Sequence, residues 1–383
     1  MTTELKRIYL KRVHLRYRKA SKRQKSVILN EFCQVCGYSR NHAIKLLRIG
    51  LAEPAPRPGP KRKYGSDVDE HLRHLWECMG RINSKKMHAA MPLWLPFYHE
   101  ADSHMHKLLM EISPATIDRH LSKYREKSLR GLCSTSPSLI KNKIPIKLLD
   151  EAIIEPGYIA ADTVAHCGNS LAGEFINTLT MTDIFSGWTE NRSVWKKESR
   201  TVMGAIKSIE RSLPFFVKGF ATDNGNEFLN HDLHSYFFDR RNRVEFVRRR
   251  PYKKNDNCHV EQKNWTHVRE LFGYQRFDYT KQVKLMNDIY KTLWNPLWNH
   301  FTPTQKLVKK TRVGGRVVKE YGKPKTPYER IINSGTLTSK QYDKLKSIHE
   351  LINPFELKKE LEKQLKWFFR IAEVRSKELS KIG

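Results

Sequence analysis

Apolar and polar positions follow two different rhythms along this chain, and the change of rhythm divides it. Between residues 24 and 49 the period is helical. Val27, Ile28, Leu29 and Phe32 form one apolar face, Gly37 offers a turn, and Ser39 stands where it would cap a second helix carrying Ala43, Ile44, Leu46 and Leu47. This punctuation predicts a helix-turn-helix whose second helix turns Arg40, Asn41, His42 and Lys45 toward DNA; a helical hairpin without a DNA role fits the spacing equally well. Four prolines in seven positions exclude a helix from the basic stretch that follows, residues 53–63. A second helical stretch covers about residues 67–127. Its last helix starts with Ser113 as cap and Pro114 in the first turn, sets Ile117, Leu121 and Tyr124 at helical spacing, and carries Thr116, Asp118, Arg119, His120 and Lys123 on its polar side. Such a helix either reads DNA or packs in a bundle. Residues 131–147 have linker composition.

Beyond residue 157 the rhythm becomes that of strands. Tyr158 to Ala165, Phe175 to Asp183 and Thr189 to Trp195 are predicted strands, followed by a helix over Thr201 to Ser212, a strand over Val217 to Thr222, a helix over His231 to Asp239, a strand over Val244 to Val247 and a helix from Asn257 to Leu271. Three consecutive strands and then helix-strand repeats predict a mixed α/β domain with helices covering its sheet. Residues 280–299 are helical and aromatic. Residues 306–319 interleave basic residues with Val308, Val313, Val317 and Val318 around Gly314-Gly315, the pattern of a small β-rich module that contacts phosphate. The tail from Thr338 to Lys381 reads as amphipathic helix, with Leu357, Leu361, Leu365 and Phe368 on one stripe, suited to docking on the body or to assembly.

Charge sharpens this division. The 383 residues carry a formal charge of +31, and the two ends hold most of it: residues 1–63 contribute +14 and residues 280–383 contribute +13, against +1 for 64–156 and +3 for 157–279. A nearly neutral core flanked by basic ends implies a polyanionic partner. No apolar stretch approaches the ~20 residues that span a bilayer, and the amino terminus lacks the apolar run of a secretory signal, so the expected location is cytoplasmic, with no membrane partner. Six scattered cysteines predict reduced thiols, and the Cys33-x-x-Cys36 pair lies in a helical pattern with no second pair of zinc-finger spacing.

The candidate chemistry is carboxylate. An acidic side chain inside an apolar strand, as Asp162 is, is costly to bury unless it is paired or on a metal. Asp223 before Asn224-Gly225 has the local look of a turn residue, Glu261 falls on a helix, and Asp183 at another strand end has nearly the credentials of Asp162. Periodicity alone leaves Asp183 a rival.

The segments Ala161-Asp162-Thr163-Val164-Ala165-His166-Cys167-Gly168, Thr182-Asp183-Ile184-Phe185-Ser186-Gly187-Trp188, Thr222-Asp223-Asn224-Gly225-Asn226-Glu227-Phe228, Arg250-Pro251-Tyr252-Lys253-Lys254-Asn255-Asp256 and Val260-Glu261-Gln262-Lys263-Asn264 resemble the catalytic core of retroviral-integrase-like DDE transposases of bacterial insertion sequences. The match spans about 120 residues directly. That resemblance implies a ribonuclease-H-like mixed-sheet core with Asp162, Asp223 and Glu261 as catalytic metal ligands and Asp183 as a supporting strand residue. It implies Mg²⁺, with Mn²⁺ as a substitute, and a bacterial, nucleoid-associated transposase that cleaves double-stranded DNA at element ends. The freed 3′ hydroxyl then joins to target DNA, within a homo-oligomer that pairs two ends. A DNA-binding regulator derived from a transposase but without catalysis is the alternative, and a structural RNA-binding protein would explain the charge but not the triad.

Two departures stand out: 37 residues separate Asp223 from Glu261, slightly more than in retroviral integrases, and Val268 occupies a position where many relatives have Lys or Arg, with Arg269 next to it. Beside the triad, Lys253, Lys254, Lys263 and Asn264 are expected DNA contacts, in addition to Arg40, Asn41, Lys45 and Arg119. Glu227 is expected to close a helix start. The positions of His166, Cys167, Cys258 and His259 inside core elements argue against a zinc site. The resulting organisation is a helix-turn-helix domain at 1–52, a basic linker at 53–66, a second helical DNA-binding unit at 67–130, a linker at 131–150, the integrase-like catalytic core at 151–303 and a basic module with helical tail at 304–383.

Overall fold

A computed structural model describes residues 1–50, 63–124, 153–222, 225, 227–248, 262–313 and 316–379. The chain divides into two compact units, Met1–Lys63 and Tyr64–Gly383. The first is built on α1 (Thr3–Lys19), α2 (Lys22–Cys36) and α3 (Arg40–Ile49). Leu10, Val13, Ile28, Leu29, Phe32, Cys36, Ala43 and Leu47 make its core. A capping box between Ser21 and Gln24 starts α2, and Gly37, at φ 67°, ends it in the left-handed region that glycine adopts without a Cβ penalty. Ser39 does occupy the N-cap position of α3, but its side chain makes no capping hydrogen bond.

In the second unit, β1 (Tyr158–Ala165), β2 (Ile176–Asp183), β3 (Thr189–Trp195), β4 (Gly219–Thr222) and β5 (Glu245–Arg248) form one sheet in the order β3-β2-β1-β4-β5. The first three pair antiparallel; β4 joins β1 and β5 joins β4 in parallel. This mixed sheet is consistent with a ribonuclease-H-like core. Odd-numbered β1 residues Ile159 and Ala161 pack with Leu179, Met181 and Phe220 under α8 (Ser199–Glu210) and α9 (His231–Phe238), through Val202, Ile206, Leu233 and Phe237.

The opposite face is polar although it is buried. Thr178, Thr180, Thr182, Thr189, Asn191 and Ser193 are all inaccessible there. They are covered by α10, whose first stretch Asn264–Arg269 is π-helical and whose end is Glu270–Phe272, and by a continuous helix made of α11 (Lys281–Ile289), a π stretch (Tyr290–Trp294) and α12 (Asn295–Phe301). Asn287 donates to Ser193 O at 2.9 Å and accepts from Ser193 N at 2.8 Å; Asn299 does the same with Thr189, at 2.9 Å both ways. These side chains close the β3 edge as a further strand would.

Helices α4 (Ser66–Cys78), α5 (Ser84–Trp94), α6 (Ser103–Glu111) and α7 (Pro114–Leu121) share one core with this helical layer. Trp94 donates to Phe301 O at 3.1 Å, and Leu72, Leu109 and Ile117 belong to the same cluster as Phe272, Tyr290 and Phe368. The stretch expected as a separate DNA-binding unit at 67–130 thus shares, where described, the core of the second unit. Ser113 caps α7 as its sequence predicts, accepting from Thr116 N at 3.2 Å. The tail forms two helices rather than one, α14 (Ser339–Glu350) and α15 (Pro354–Leu379), after a short α13 (Pro327–Ile332). Pro354 breaks the run, Phe368 docks on Phe272 and Phe277, and Leu361 belongs to the same core. Among the described residues no helix is long and apolar enough to cross a membrane.

His166 lies in this core, its Nε2 2.8 Å from Thr178 Oγ1 and its ring against Phe272 and Phe277. Burial pushes its imidazole down to about 3, and Arg269 adds to the shift. Between that value and the ordinary ~6.5 the unfolded chain holds the proton and the folded chain does not, so this term makes stability rise with pH across the window and is complete above it. His166→Phe is therefore expected to flatten the pH dependence of urea unfolding by about 1.4 kcal/mol per pH unit within the window. An unchanged slope would show a charged His166 in the folded protein.

Candidate active site

Asp162 lies in the middle of β1, opposite Thr180 on β2, at the point where the apolar floor of the sheet ends. Ala160, two residues earlier on the same face, is fully buried, while Asp162 is partly accessible. Its carboxylate is held from two directions: Oδ1 accepts from the Thr163 backbone N at 2.8 Å, and Oδ2 accepts from Asn264 Nδ2 at 2.6 Å. Asn264 stands near the start of α10, three residues after Glu261. On the other flank, parallel pairing sets Thr222, the last described residue of β4, against Ala161, the residue before Asp162. Asp223, Glu261, Lys253 and Lys254 themselves lie outside the described residues.

A second carboxylate braces β1 from beneath. Glu227 is buried, accepts from Thr163 Oγ1 at 3.0 Å and pairs with Lys197 Nζ at 2.5 Å. Glu227 does not close a helix start: α9 is capped by Asn230, which accepts from Leu233 N at 2.9 Å. The segment after Asp223 is therefore tied to the residue after Asp162. Neither Thr163 nor Lys197 announces this in the sequence, because the contact joins elements far apart in the chain.

Asp183, the rival carboxylate, is fully buried and facing its own turn. It accepts from Gly157 N at 2.8 Å, Ser186 N at 2.7 Å and Ser186 Oγ at 2.5 Å. Burial pushes its carboxyl up, and the Ser186 and Gly157 donors oppose that shift. With Oδ2 engaged by Ser186 in the β2–β3 turn and Oδ1 by Gly157 ahead of β1, Asp183 is a structural acceptor.

The remaining predicted contacts separate into exposed and inward-facing groups. Arg40, Asn41 and Lys45 are exposed on α3, Arg40 bonding Asn30, and Arg119 is exposed on α7 with Nη2 3.0 Å from Thr116 Oγ1. Lys263 faces the interior, its Nζ 4.7 Å from the Trp298 ring centre, without a hydrogen-bond partner among the described residues. Burial pushes its ammonium down to about 7, and Lys86 and Arg330 add to the shift. Asn264, expected as a DNA contact, has its amide on Asp162 instead. Val268 is buried, while Arg269 reaches back to Ala165 O at 3.0 Å and stacks over Tyr274. Cys36 is buried in the core of the first unit with Cys33 beside it; Cys258 and His259 lie outside the described residues.

Among the described residues no three His, Cys, Asp or Glu side chains gather as a metal site. The donors that are described nevertheless suit a hard divalent cation. Asp162 offers carboxylate oxygen, and Asn264 Oδ1 beside it is buried without a hydrogen-bond partner among the described residues.

No protein-family model matches the chain. Over 323 residues it is 35% identical to the uncharacterized protein y4rM of Sinorhizobium fredii (strain NBRC 101917 / NGR234), a match covering 82% of this chain and 91% of that protein. The chain belongs to the y4rM family. Among solved structures, this y4rM-family chain is similar to the HTLV-2 integrase catalytic core domain in complex with magnesium. The trimeric form matches at 18% identity and TM-score 0.24, covering 30% of this chain and 70% of that one, and the dimeric form at 16% and 0.27, covering 39% and 91%. At such scores the case for the y4rM-family site stands on its own side chains.

The position of Lys263 carries a stability consequence. A buried ammonium loses several kcal/mol of hydration, and a desolvated cation–π contact returns about 2 kcal/mol. Lys263→Met, similar in length and apolar, is expected to stabilise the protein by about 1 kcal/mol or more, read as a higher urea midpoint at unchanged slope. A lower midpoint would mean that the ammonium meets an anionic partner.

Proposed function

We propose that this protein is a DDE-type polynucleotidyl transferase, a transposase that cleaves double-stranded DNA at element ends and joins the freed 3′ ends to target DNA. The observation that carries the reading is the 2.6 Å bond from Asn264 to Asp162, which brings the residues following Glu261 onto the strand of Asp162. The pairing of Thr222 with Ala161 supports it from the other side. Asp162, Asp223 and Glu261 would together hold Mg²⁺, or Mn²⁺ in its place, which supplies Lewis-acid activation of a phosphodiester and of its attacking hydroxyl. Asn264 fixes the rotamer of Asp162, and Glu227 with Lys197 holds the strand beneath it. Exposed Arg40, Asn41 and Lys45 on α3 are assigned to element-end DNA, Arg119, Lys253 and Lys254 to its backbone, and a homo-oligomer to the pairing of two ends. The basic charge of both chain ends accords with a duplex partner.

The test is incubation of the full chain with linear duplex DNA carrying the repeats that flank its coding region, with Mg²⁺ or with chelator. Metal-dependent nicking and joining is the expected result. Asp162→Ala should lower it by roughly 10³-fold, the scale of several kcal/mol of transition-state stabilisation. Asn264→Ala, which removes a support of a metal ligand, should cost roughly 10- to 100-fold and raise the Mg²⁺ concentration needed for half activity. DNA binding with no cleavage under either metal would replace this reading with that of a DNA-binding regulator.

A further inference from the structure

Strands β6 (Leu307–Val313) and β7 (Arg316–Tyr321) form a two-stranded antiparallel sheet that, among the described residues, joins no other sheet. An isolated ribbon of this kind is marginal in water and normally needs a third strand or a helix across one face. Here apolar residues stay open to solvent: Val308 is 68% exposed, Val318 54%, Tyr321 51% and Leu307 47%. Residues 306–325 carry eight Lys or Arg against one acid, Glu320.

The base of the ribbon, by contrast, is firmly rooted. Gly322 N donates to Lys306 O at 2.9 Å, and Lys306 Nζ donates to Ile184 O at 2.7 Å in the turn between β2 and β3. Thr304 and Lys325 exchange backbone hydrogen bonds of 2.9 and 3.1 Å, and Arg330 Nη1 ties Thr304 Oγ1, at 2.7 Å, to Ser186 O, at 3.0 Å. The ribbon is thus a basic arm fixed at its base to the sheet that carries Asp162.

We propose that the β6–β7 ribbon is a duplex-reading arm that lies in the major groove of DNA. Seven residues at ~3.3 Å each give a reach of about 23 Å, and a two-stranded ribbon is an element that the B-DNA major groove, ≈ 12 Å wide, admits while the minor groove, ≈ 6 Å, does not. Lysine and arginine match phosphates and guanine edges there, and exposed valines match thymine methyl groups. The major groove of an RNA duplex is too narrow and deep for such an arm, so DNA is the partner the ribbon fits. This inference rests on the reading of the protein as one that acts on DNA, but it does not require cleavage.

Binding of the full chain to a fluorescent duplex of about three helical turns, measured by anisotropy in chelator over a salt series, tests it. The variant Lys309→Glu, Arg312→Glu, Lys319→Glu should lose about three from the slope of log affinity against log salt. The matching triple Gln variant should lose nearly as much, with the thermal midpoint of both unchanged. Duplex whose major groove is filled by glucosylated hydroxymethylcytosine should weaken binding of the wild type by a larger factor than binding of the variants, which keep α3, while distamycin in the minor groove leaves the ribbon-dependent part intact. An unchanged salt slope, equal loss on an RNA duplex, or indifference to the glucosylated groove would each overturn the proposal. A protein that binds in this way yet never cleaves with metal would keep the ribbon assignment and lose the catalytic one.

Discussion

The asparagine side chains that close the β3 edge hold the architecture of the second unit. Asn287 and Asn299 each meet one strand residue with both a donor and an acceptor, and Asn295, between them, donates to the buried carboxylate of Glu190 at 2.9 Å. Asn295 and Asn299 are buried and Asn287 half-buried, so breaking the bonds that Asn299 makes would cost the desolvation penalty of the freed groups. Together these bonds hold the helix from Lys281 to Phe301 in its register on the sheet. That register sets the next contacts: Trp294 Nε1 lies 3.1 Å from His267 Nδ1, which is 3.1 Å from Asn191 Oδ1 on β3. His267 belongs to α10, and α10 is the helix that presents Asn264 to Asp162.

Polar burial thus does two jobs on one face of the sheet. Near β3 it fixes helix to strand, and near β1 it orients a carboxylate whose other neighbours leave it partly open. The contrast with Asp183 shows how environment assigns roles to one residue type. Asp183 accepts two hydrogen bonds from Ser186 in its own turn and one from Gly157 and is sealed from solvent, whereas Asp162 is partly open and accepts from the Thr163 amide and from a side chain that arrives from the far end of the core. Glu227 is a third case, a buried carboxylate neutralised by Lys197 that braces the strand.

The division of charge along the chain has a structural counterpart in burial. Arg40, Lys45 and Arg48 of α3 and Lys309, Arg312 and Lys319 of the β6–β7 ribbon are exposed, while Lys263, next to Asn264, is turned against Trp298. Helices α4 to α7, expected as a second DNA-binding unit, give their apolar stripes to the core of the sheet domain, and only their polar sides, Arg119 among them, remain available.

The sequence alone determined the elements. Apolar alternation located β1 to β5 to within a residue or two, because strand period and burial on two faces are local properties, and the cost of an acid in an apolar strand singled out Asp162. Gly37 likewise marked the end of α2 and Ser113 the start of α7, and charge marked the two ends. What only the tertiary structure decided is which residues meet. Asp183 and Asp162 look alike in their local strings, and their fates differ because Ser186 and Gly157 surround one and Asn264, 102 residues away, reaches the other. The inward turn of Lys263, the Glu227–Lys197 brace, the asparagine closure of β3 and the break of the tail into two docked helices share that cause. Each depends on partners brought together by strand order and helix packing, which no period along the chain encodes.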